Sequence, residues 1–591
     1  MEGAQEQIAA RLQALGEAEL ADVVAFVGQH PDWSCGALLI EACRALDHMQ
    51  VMQNLGRPPG EYIHLADFDL IVRGWNILLS LLLPQVGRFS GIPAAASTEE
   101  TRHIVLNLMH ACGRYVMLTD TAERIRHGMV NGRMSGDDIE LSLSEAVQTD
   151  FFHDQVDRAR VLDLKMKFAA GRLATDSDIG PALRAEMATQ VFPWKLPQGT
   201  MVGYTSSRDV DSAFLKFLTD TVLEWRGDAG LHPDAQLGAC TGADMVTTVH
   251  MLLGRYLAHI VYIEEARKIF PDVNFAMSLC IWKTRPELIA ELVIIGTPEP
   301  LAAAVVDLVT VRADDAPFFF KEHTPSFPML IEIADGYLLM PISAVFRNPL
   351  SHIRALREST TPALLNAVRS HHEAWMADDL CALFQGDRYQ CVSTQTKLRS
   401  AGRVVTDVDA AILDYITGEL VLFQLKWQDF DSSNLKTQRS KAKNFVDKVE
   451  TWGATVSDWI DEHGVERLCQ VLKLKLPLGR LPIMIRLWGL GRSNARFRGL
   501  GYAPGATVVV FTWPQLIRLR HEIGPGAAVF AEIACRVQEE AAKPVRRTPI
   551  PYTMQSRGQR IFIQDLWNSF DDGISVSATV DRGPNASETK S

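Results

Sequence analysis

Residues 406–428 read TDVDAAILDYITGELVLFQLKWQ. The run is apolar and rich in β-formers, yet it carries Asp407 and Asp409 near its start and Gln424 and Lys426 near its end. Side chains alternate across a strand, which puts Asp407 and Asp409 on one face and Val408, Ala410 and Ile412 on the other. In the second half Leu422, Gln424 and Lys426 share a face opposite Val421, Phe423, Leu425 and Trp427. Thr417-Gly418 predicts a two-residue turn between the two strands. Antiparallel pairing would then gather four polar groups at one end of an otherwise buried hairpin.

Such a gathering has a chemical use. Phosphodiester hydrolysis needs an electrophile that neutralises charge developing at phosphorus and a water that loses its proton near neutral pH. Asp409 offers oxygen to a hard cation such as Mg²⁺, and the Gln424 carbonyl oxygen offers a neutral ligand. Lys426 points the same way and is placed to orient the attacking water. To act as a general base it needs its pKa lowered by its surroundings.

These residues resemble the motif of the PD-(D/E)xK nuclease superfamily, and in particular the branch related to Mrr-type restriction endonucleases. There the acidic member of the final pair is often glutamine. The pattern here is Asp409, fourteen intervening residues, then Gln424-Leu425-Lys426. The resemblance assigns metal binding to Asp409 and Gln424 and water activation to Lys426. Val408 replaces the usual proline. A further carboxylate in this superfamily lies on the helix before the first core strand, and HHEAWMADDLCALFQGDRYQ (371–390) supplies Glu373 there. The implied catalytic set is Glu373, Asp409, Gln424 and Lys426, with Glu373, Asp409 and Gln424 as ligands of Mg²⁺ or, alternatively, Mn²⁺. DNA is the substrate the resemblance favours, RNA the alternative, and defence against invading DNA the setting it suggests. Glutamine in place of a ligand glutamate leaves a second reading open, a nuclease fold retained for nucleic-acid binding or protein scaffolding. His371 and His372 precede Glu373 and fit supporting roles.

The wider chain is consistent with a large soluble protein. Its 591 residues exceed one ordinary core, and 47% hydrophobic with 22% charged residues exclude global disorder. Nine cysteines are scattered without a CxxC pair, which fits reduced thiols better than zinc knuckles or disulfides. The opening MEGAQEQIAA lacks the pattern of a signal peptide, and the longest apolar runs are too short to span a bilayer, so a cytoplasmic location without a membrane partner is expected.

A net charge of -12 argues against coating nucleic acid, but the charge is uneven. Between Arg467 and Arg520 there is no Asp or Glu. Within it RLPIMIRLWGLGRSNARFRGLG (480–501) interleaves Arg486, Arg492, Arg496 and Arg498 with Trp488 and Phe497, a pattern suited to phosphate contact and stacking. Lys436, Gln438, Arg439, Lys441 and Lys443 on the helix after the hairpin are further candidates. Gly489-Leu490-Gly491 lacks a full nucleotide-loop pattern.

The fold class expected is multidomain α + α/β, a large mainly helical amino-terminal region followed by a restriction-endonuclease-like α/β core. The expected divisions are a helical region at 1–190, a helical and mixed region at 191–350, the nuclease-like domain at 351–540, and a peripheral arm and tail at 541–591. In the second of these, IAELVIIG (289–296) is read as β. The helical region could recognise a nucleic-acid structure, hold a regulatory partner, or form a homo-oligomer that silences cleavage.

Overall fold

The computed structural model describes residues 2–30, 32–54, 65–86, 96–145, 147, 150, 153–161, 180–196, 199–428, 435–476, 481–503, 505, 507–526, 528–541, 543, 547–570 and 575–577. They form a multidomain α + α/β protein in which long helices dominate the first half and a mixed sheet the second.

The amino-terminal half is built around α1 (Glu2–Gly28), α2 (Leu65–Leu82) and α3 (Glu99–Arg126). Thr98 caps α3 reciprocally with Thr101, and Glu99 and Glu100 at its start oppose Arg124 and Arg126 at its end, charges that suit the helix dipole. α2 and α3 meet at Gly74 and Gly113, where any Cβ would run into the backbone of Met109 or Leu70, so glycine sets how closely these helices pack. Strands β1 (Val130–Ser135) and β2 (Asp138–Leu143) follow as a hairpin. The Pro/Gly-containing stretch around Phe192 forms another hairpin, Val191–Leu196 with Gly199–Tyr204. α4 (Arg208–Ala229) starts on a Ser207 cap and stops at the left-handed Gly230. The β reading of 289–296 is corrected: Arg285–Ile294 is a helix, because Thr284 and Glu287 form a capping box and Pro286 occupies its first turn.

The carboxy-terminal half contains a three-layer unit. α5 (His372–Leu383) precedes β3 (Tyr389–Val392), a small hairpin of β4 (Thr396–Ser400) and β5 (Arg403–Val408), then β6 (Ala410–Asp414) and β7 (Glu419–Lys426). α6 (Leu435–His463), β8 (Met484–Gly491), β9 (Val509–Thr512), α7 (Trp513–Ile523) and α8 (Val529–Ala541) complete it. The sheet order is β3-β6-β7-β8-β9, antiparallel from β3 to β7 and parallel from β7 to β9. One face carries Ile412, Val421, Phe423, Leu425 and Trp488 against α5, α7 and α8. The other carries Ala411, Leu413, Leu420 and Leu422 against Phe445, Val449 and Trp452 of α6. Period-2 patterning thus feeds two cores from one sheet.

Two features of the hairpin differ from expectation. The turn between β6 and β7 is longer than two residues: Gly418 N–H donates to Asp414 O at 2.8 Å, and Asp414 Oδ1 accepts from Ile416 N at 2.9 Å. Arg388 clamps the other side of Asp414. Alternation also breaks at Asp409, since Val408 packs with Ala411 and Leu413 instead of sharing a face with Ala410 and Ile412. Asp409 is the joint at which the chain leaves the β4–β5 hairpin and enters the main sheet.

The carboxy-terminal arm is not peripheral. β10 (Arg547–Ser556) and β11 (Gln559–Phe570) form a hairpin, and β11 pairs in parallel with β2, more than 400 residues earlier in the chain. Met554, Ile561, Ile563, Leu566 and Trp567 are buried with Ile8, Leu12 and Ile139. The tail beyond 577 lies outside the described residues.

Candidate active site

Asp409, Gln424, Lys426 and Glu373 come together at one end of the main sheet. β7 ends at Lys426, Asp409 lies across from it at the mouth of β6, and α5 brings Glu373 over from its first turn. Asp409 N–H donates to Phe423 O at 3.1 Å, which extends the β6–β7 ladder to the joint. Its Oδ2 accepts from Leu425 N at 2.8 Å and from the Gln424 side-chain amide. Lys426 Nζ donates to Glu373 Oε1 at 3.0 Å.

The site grades from buried to open. Asp409 is 4% exposed and Gln424 6%, whereas the side chain of Glu373 is 47% exposed. Burial pushes the Asp409 carboxyl up to about 6; the nearby charges of Glu373 and Asp407 add to the rise, while Lys426 and the Leu425 amide oppose it. Crowded carboxylates around a buried acid are an environment that a divalent cation would relieve. Glu373 and Asp409 supply hard oxygen donors, and a half-turn of the Gln424 amide presents its carbonyl oxygen in place of its nitrogen. The donor set therefore fits an oxygen-seeking cation. Among the described residues there is no cluster of three or more His, Cys, Asp or Glu arranged to hold a metal, so the fit rests on two carboxylates and an amide.

Sequence reasoning missed Gln395, whose Nε2 donates to Asp407 Oδ2 at 2.8 Å and approaches Asp409 Oδ1 at 3.4 Å. It ties Asp407 to the site from the β3–β4 connection, and nothing in its local pattern marks it out. Trp452 of α6 holds the Asp407 backbone from the other side, with Nε1 2.6 Å from the carbonyl oxygen. Gly489 and Gly491 stand opposite Gln424 and Lys426 on β8; a Cβ at Gly489 would lie 2.8 Å from Val449, so this glycine serves helix packing.

The basic candidates scatter. Arg486 lies opposite Val421 and donates to Glu419 at 2.9 Å, about five residues or roughly 17 Å along the strand from Lys426. Arg492 is beside the site: its backbone N–H donates to Lys426 O at 3.0 Å and its guanidinium holds Asp379 at 2.7 Å. Arg496 reaches Asp154 at 2.6 Å and Asp157 at 2.8 Å. Arg496 is thus matched by acids from the amino-terminal half, whereas Arg486 and Arg492 are matched by acids of the carboxy-terminal half itself. Arg498 is exposed and donates to Ala541 O at 3.0 Å. On α6, Arg439 donates to Leu500 O at 3.0 Å, Gln438 and Lys441 are half-buried, and Lys436 and Lys443 are exposed. Cys535 is exposed, Cys381 and Cys391 are half-buried, and the other six cysteines are buried.

No family model, curated protein or solved structure matches this chain. Among the described residues no helix is long and apolar enough to cross a membrane.

Proposed function

We propose that the carboxy-terminal half is a PD-(D/E)xK-type nuclease that hydrolyses DNA with Mg²⁺ or Mn²⁺. The observation that carries this reading is the convergence of Glu373, Asp409, Gln424 and Lys426 from a helix, a strand joint and a neighbouring strand onto one end of a mixed sheet. Support also comes from the order of elements, a helix, an antiparallel meander, a crossover helix and a strand parallel to the last of the meander.

In this reading Asp409, Gln424 and Glu373 hold the cation, which supplies charge neutralisation at the scissile phosphate when bound. The remaining work belongs to the chain. Asp409 is held by the Leu425 amide, and Lys426, once released from Glu373, orients water and carries positive charge toward phosphorus. Exposed Lys436 and Lys443, near the start of α6, offer phosphate contacts.

The direct test is a matrix of Mg²⁺, Mn²⁺ and Ca²⁺ against single-stranded DNA, duplex DNA and RNA, with Asp409→Ala and Lys426→Ala in parallel. Metal-dependent cleavage that both substitutions abolish supports the proposal. A second reading is a nuclease-like binding scaffold, favoured by the fact that Gln424 satisfies Asp409 and Lys426 satisfies Glu373. DNA binding without turnover under every metal would select it.

A further inference from the structure

The end of α4 fits against the catalytic unit at the residues that flank the charged groups of the site. Gly230, at φ +68°, turns the chain out of the helix. Its carbonyl oxygen accepts a hydrogen bond from His372 Nε2 at 3.0 Å. The His372 ring, 4% exposed, stacks on Trp427 with centroids 4.4 Å apart. Two residues on, His232 stacks on His371 at 4.4 Å and meets Trp375 edge-on at 5.4 Å. Arg226 covers Trp375 at 5.5 Å, and Arg492 covers Trp427 at 4.8 Å. His371, His372 and Trp375 surround Glu373 in sequence; Trp427 follows Lys426.

We infer that the Gly230–His232 turn is a positioning element of the catalytic site, which seats α5 against the end of β7 and so sets where Glu373 stands relative to Lys426. The catalytic consequence rests on the nuclease reading; the seating itself does not. Glu373 and Lys426 lie on separate elements, and their half-open ion pair is too weak to fix the separation of those elements. The ring stacks and the hydrogen bond to Gly230 supply what the pair lacks, and both engage immediate neighbours of the two charged residues. The helical half thereby acquires a defined task at the site.

Glycine is required at the centre of this contact. A Cβ on Gly230 would lie 2.6 Å from His372 Nε2 and 3.0 Å from Trp427, on a backbone conformation that disfavours any side chain. Gly227, one turn earlier on the same helix, is a contrast: its Cβ would meet Arg492 Nη2 at 3.4 Å, an ordinary contact, in helical backbone.

The test uses the full chain with Gly230→Ala, and Gly227→Ala as control, read by hydrogen exchange of backbone amides and by steady-state cleavage. In Gly230→Ala, exchange in segments 371–376 and 425–428 should rise about tenfold while α6 keeps its protection. The kcat should fall by about ten- to a hundredfold, as expected for a displaced catalytic group, with KM for an oligonucleotide within about twofold. Gly227→Ala should match the parent protein in every readout. Unchanged exchange in both segments of a folded Gly230→Ala protein overturns the inference. So does an increase spread evenly over the whole catalytic unit, because that is general destabilisation. If the parent protein cleaves nothing, the nuclease reading fails and the exchange pattern alone decides the seating.

Discussion

Lys426 Nζ lies 3.0 Å from Glu373 Oε1, joining the last residue of a central strand to the first turn of a helix on the sheet's face. The residues are 53 positions apart in sequence. With the Lys426 side chain 22% and that of Glu373 47% exposed, solvent screens the pair heavily. Its interest is therefore chemical, because it parks an ammonium near the buried carboxylate of Asp409 at an open edge.

Lys426→Ala is expected to leave the fold intact, with a stability change within about 1 kcal/mol, since the pair is largely screened. Cleavage should fall by about a hundredfold or more, the scale of a lost general acid–base or charge-stabilising group. Initial rates and urea denaturation check the two halves together. Parental rates in a folded variant would remove Lys426 from the site.

The raised pKa of Asp409 gives a pH dependence with a definite sign. Its carboxyl titrates at about 6 in the folded protein against an ordinary 3.8, so the folded state holds a proton that the unfolded chain has lost between these values. Stability therefore falls as pH rises from about 4 to 6, and the cost of the buried charge is fully present above 6. Two units correspond to about 3 kcal/mol at most. Asp409→Asn should accordingly raise the melting temperature at pH 7.5 and lose this advantage near pH 4. The parent protein's affinity for Mn²⁺ should weaken about tenfold per unit below pH 6, as a proton competes for the ligand. Calorimetry across pH 4 to 8 measures both, and a melting temperature that Asp409→Asn lowers at pH 7.5 would contradict the buried-charge argument.

The main sheet was legible because its alternation is regular: Leu420 to Leu425 divide between two cores as the period-2 pattern requires. The four polar residues stood out for the same reason, as interruptions of that pattern. What could not be read was long-range. Gln395 reaches the site through a loop geometry with no local signature, and the break of alternation at Asp409 comes from β5 pairing with β4. The acids that neutralise Arg496 lie some 340 residues upstream, so an acid-free interval looked like a basic surface. β11 reads as an arm from local sequence because its partner, β2, lies far away in the chain.

The basic residues fall into two classes, paired and buried or exposed. Arg496 is 13% exposed and is held by Asp154 and Asp157, while Arg518 shares Asp157 at 2.6 Å and reaches Glu540 at 2.7 Å. Arg496→Ala leaves buried carboxylates short of a partner and is expected to cost about 3–5 kcal/mol. Exposed Lys436 and Lys443 behave differently. Their replacement by Ala should leave stability unchanged and lower the slope of DNA affinity against salt by about one per lysine that contacts a phosphate. Denaturation curves and binding measured at several salt concentrations distinguish the classes. A stable Arg496→Ala protein whose DNA affinity is weakened and whose salt slope falls by about one would assign Arg496 to the DNA surface after all.

The carboxy-terminal hairpin is expected to be indispensable to the amino-terminal half. Trp567 is fully buried, its Nε1 donates to Asp69 at 3.0 Å, and Asp69 in turn pairs with Arg73 at 2.9 Å, so one indole joins β11 to α2. Trp567→Ala opens a cavity and removes the donor, for an expected loss of about 3–5 kcal/mol. Trp567→Phe keeps most of the volume but leaves Asp69 with one donor fewer, and the expected loss is about 1–3 kcal/mol. Removing residues 547–591 uncovers Ile139 and Leu141 of β2 as well, and the shortened chain should lose cooperative unfolding of its amino-terminal half. Urea denaturation followed by far-UV dichroism, with exchange protection of β2 as a local probe, tests the series. A truncated chain that unfolds with the parental midpoint and keeps β2 protected would show that the hairpin adds nothing to the core it covers.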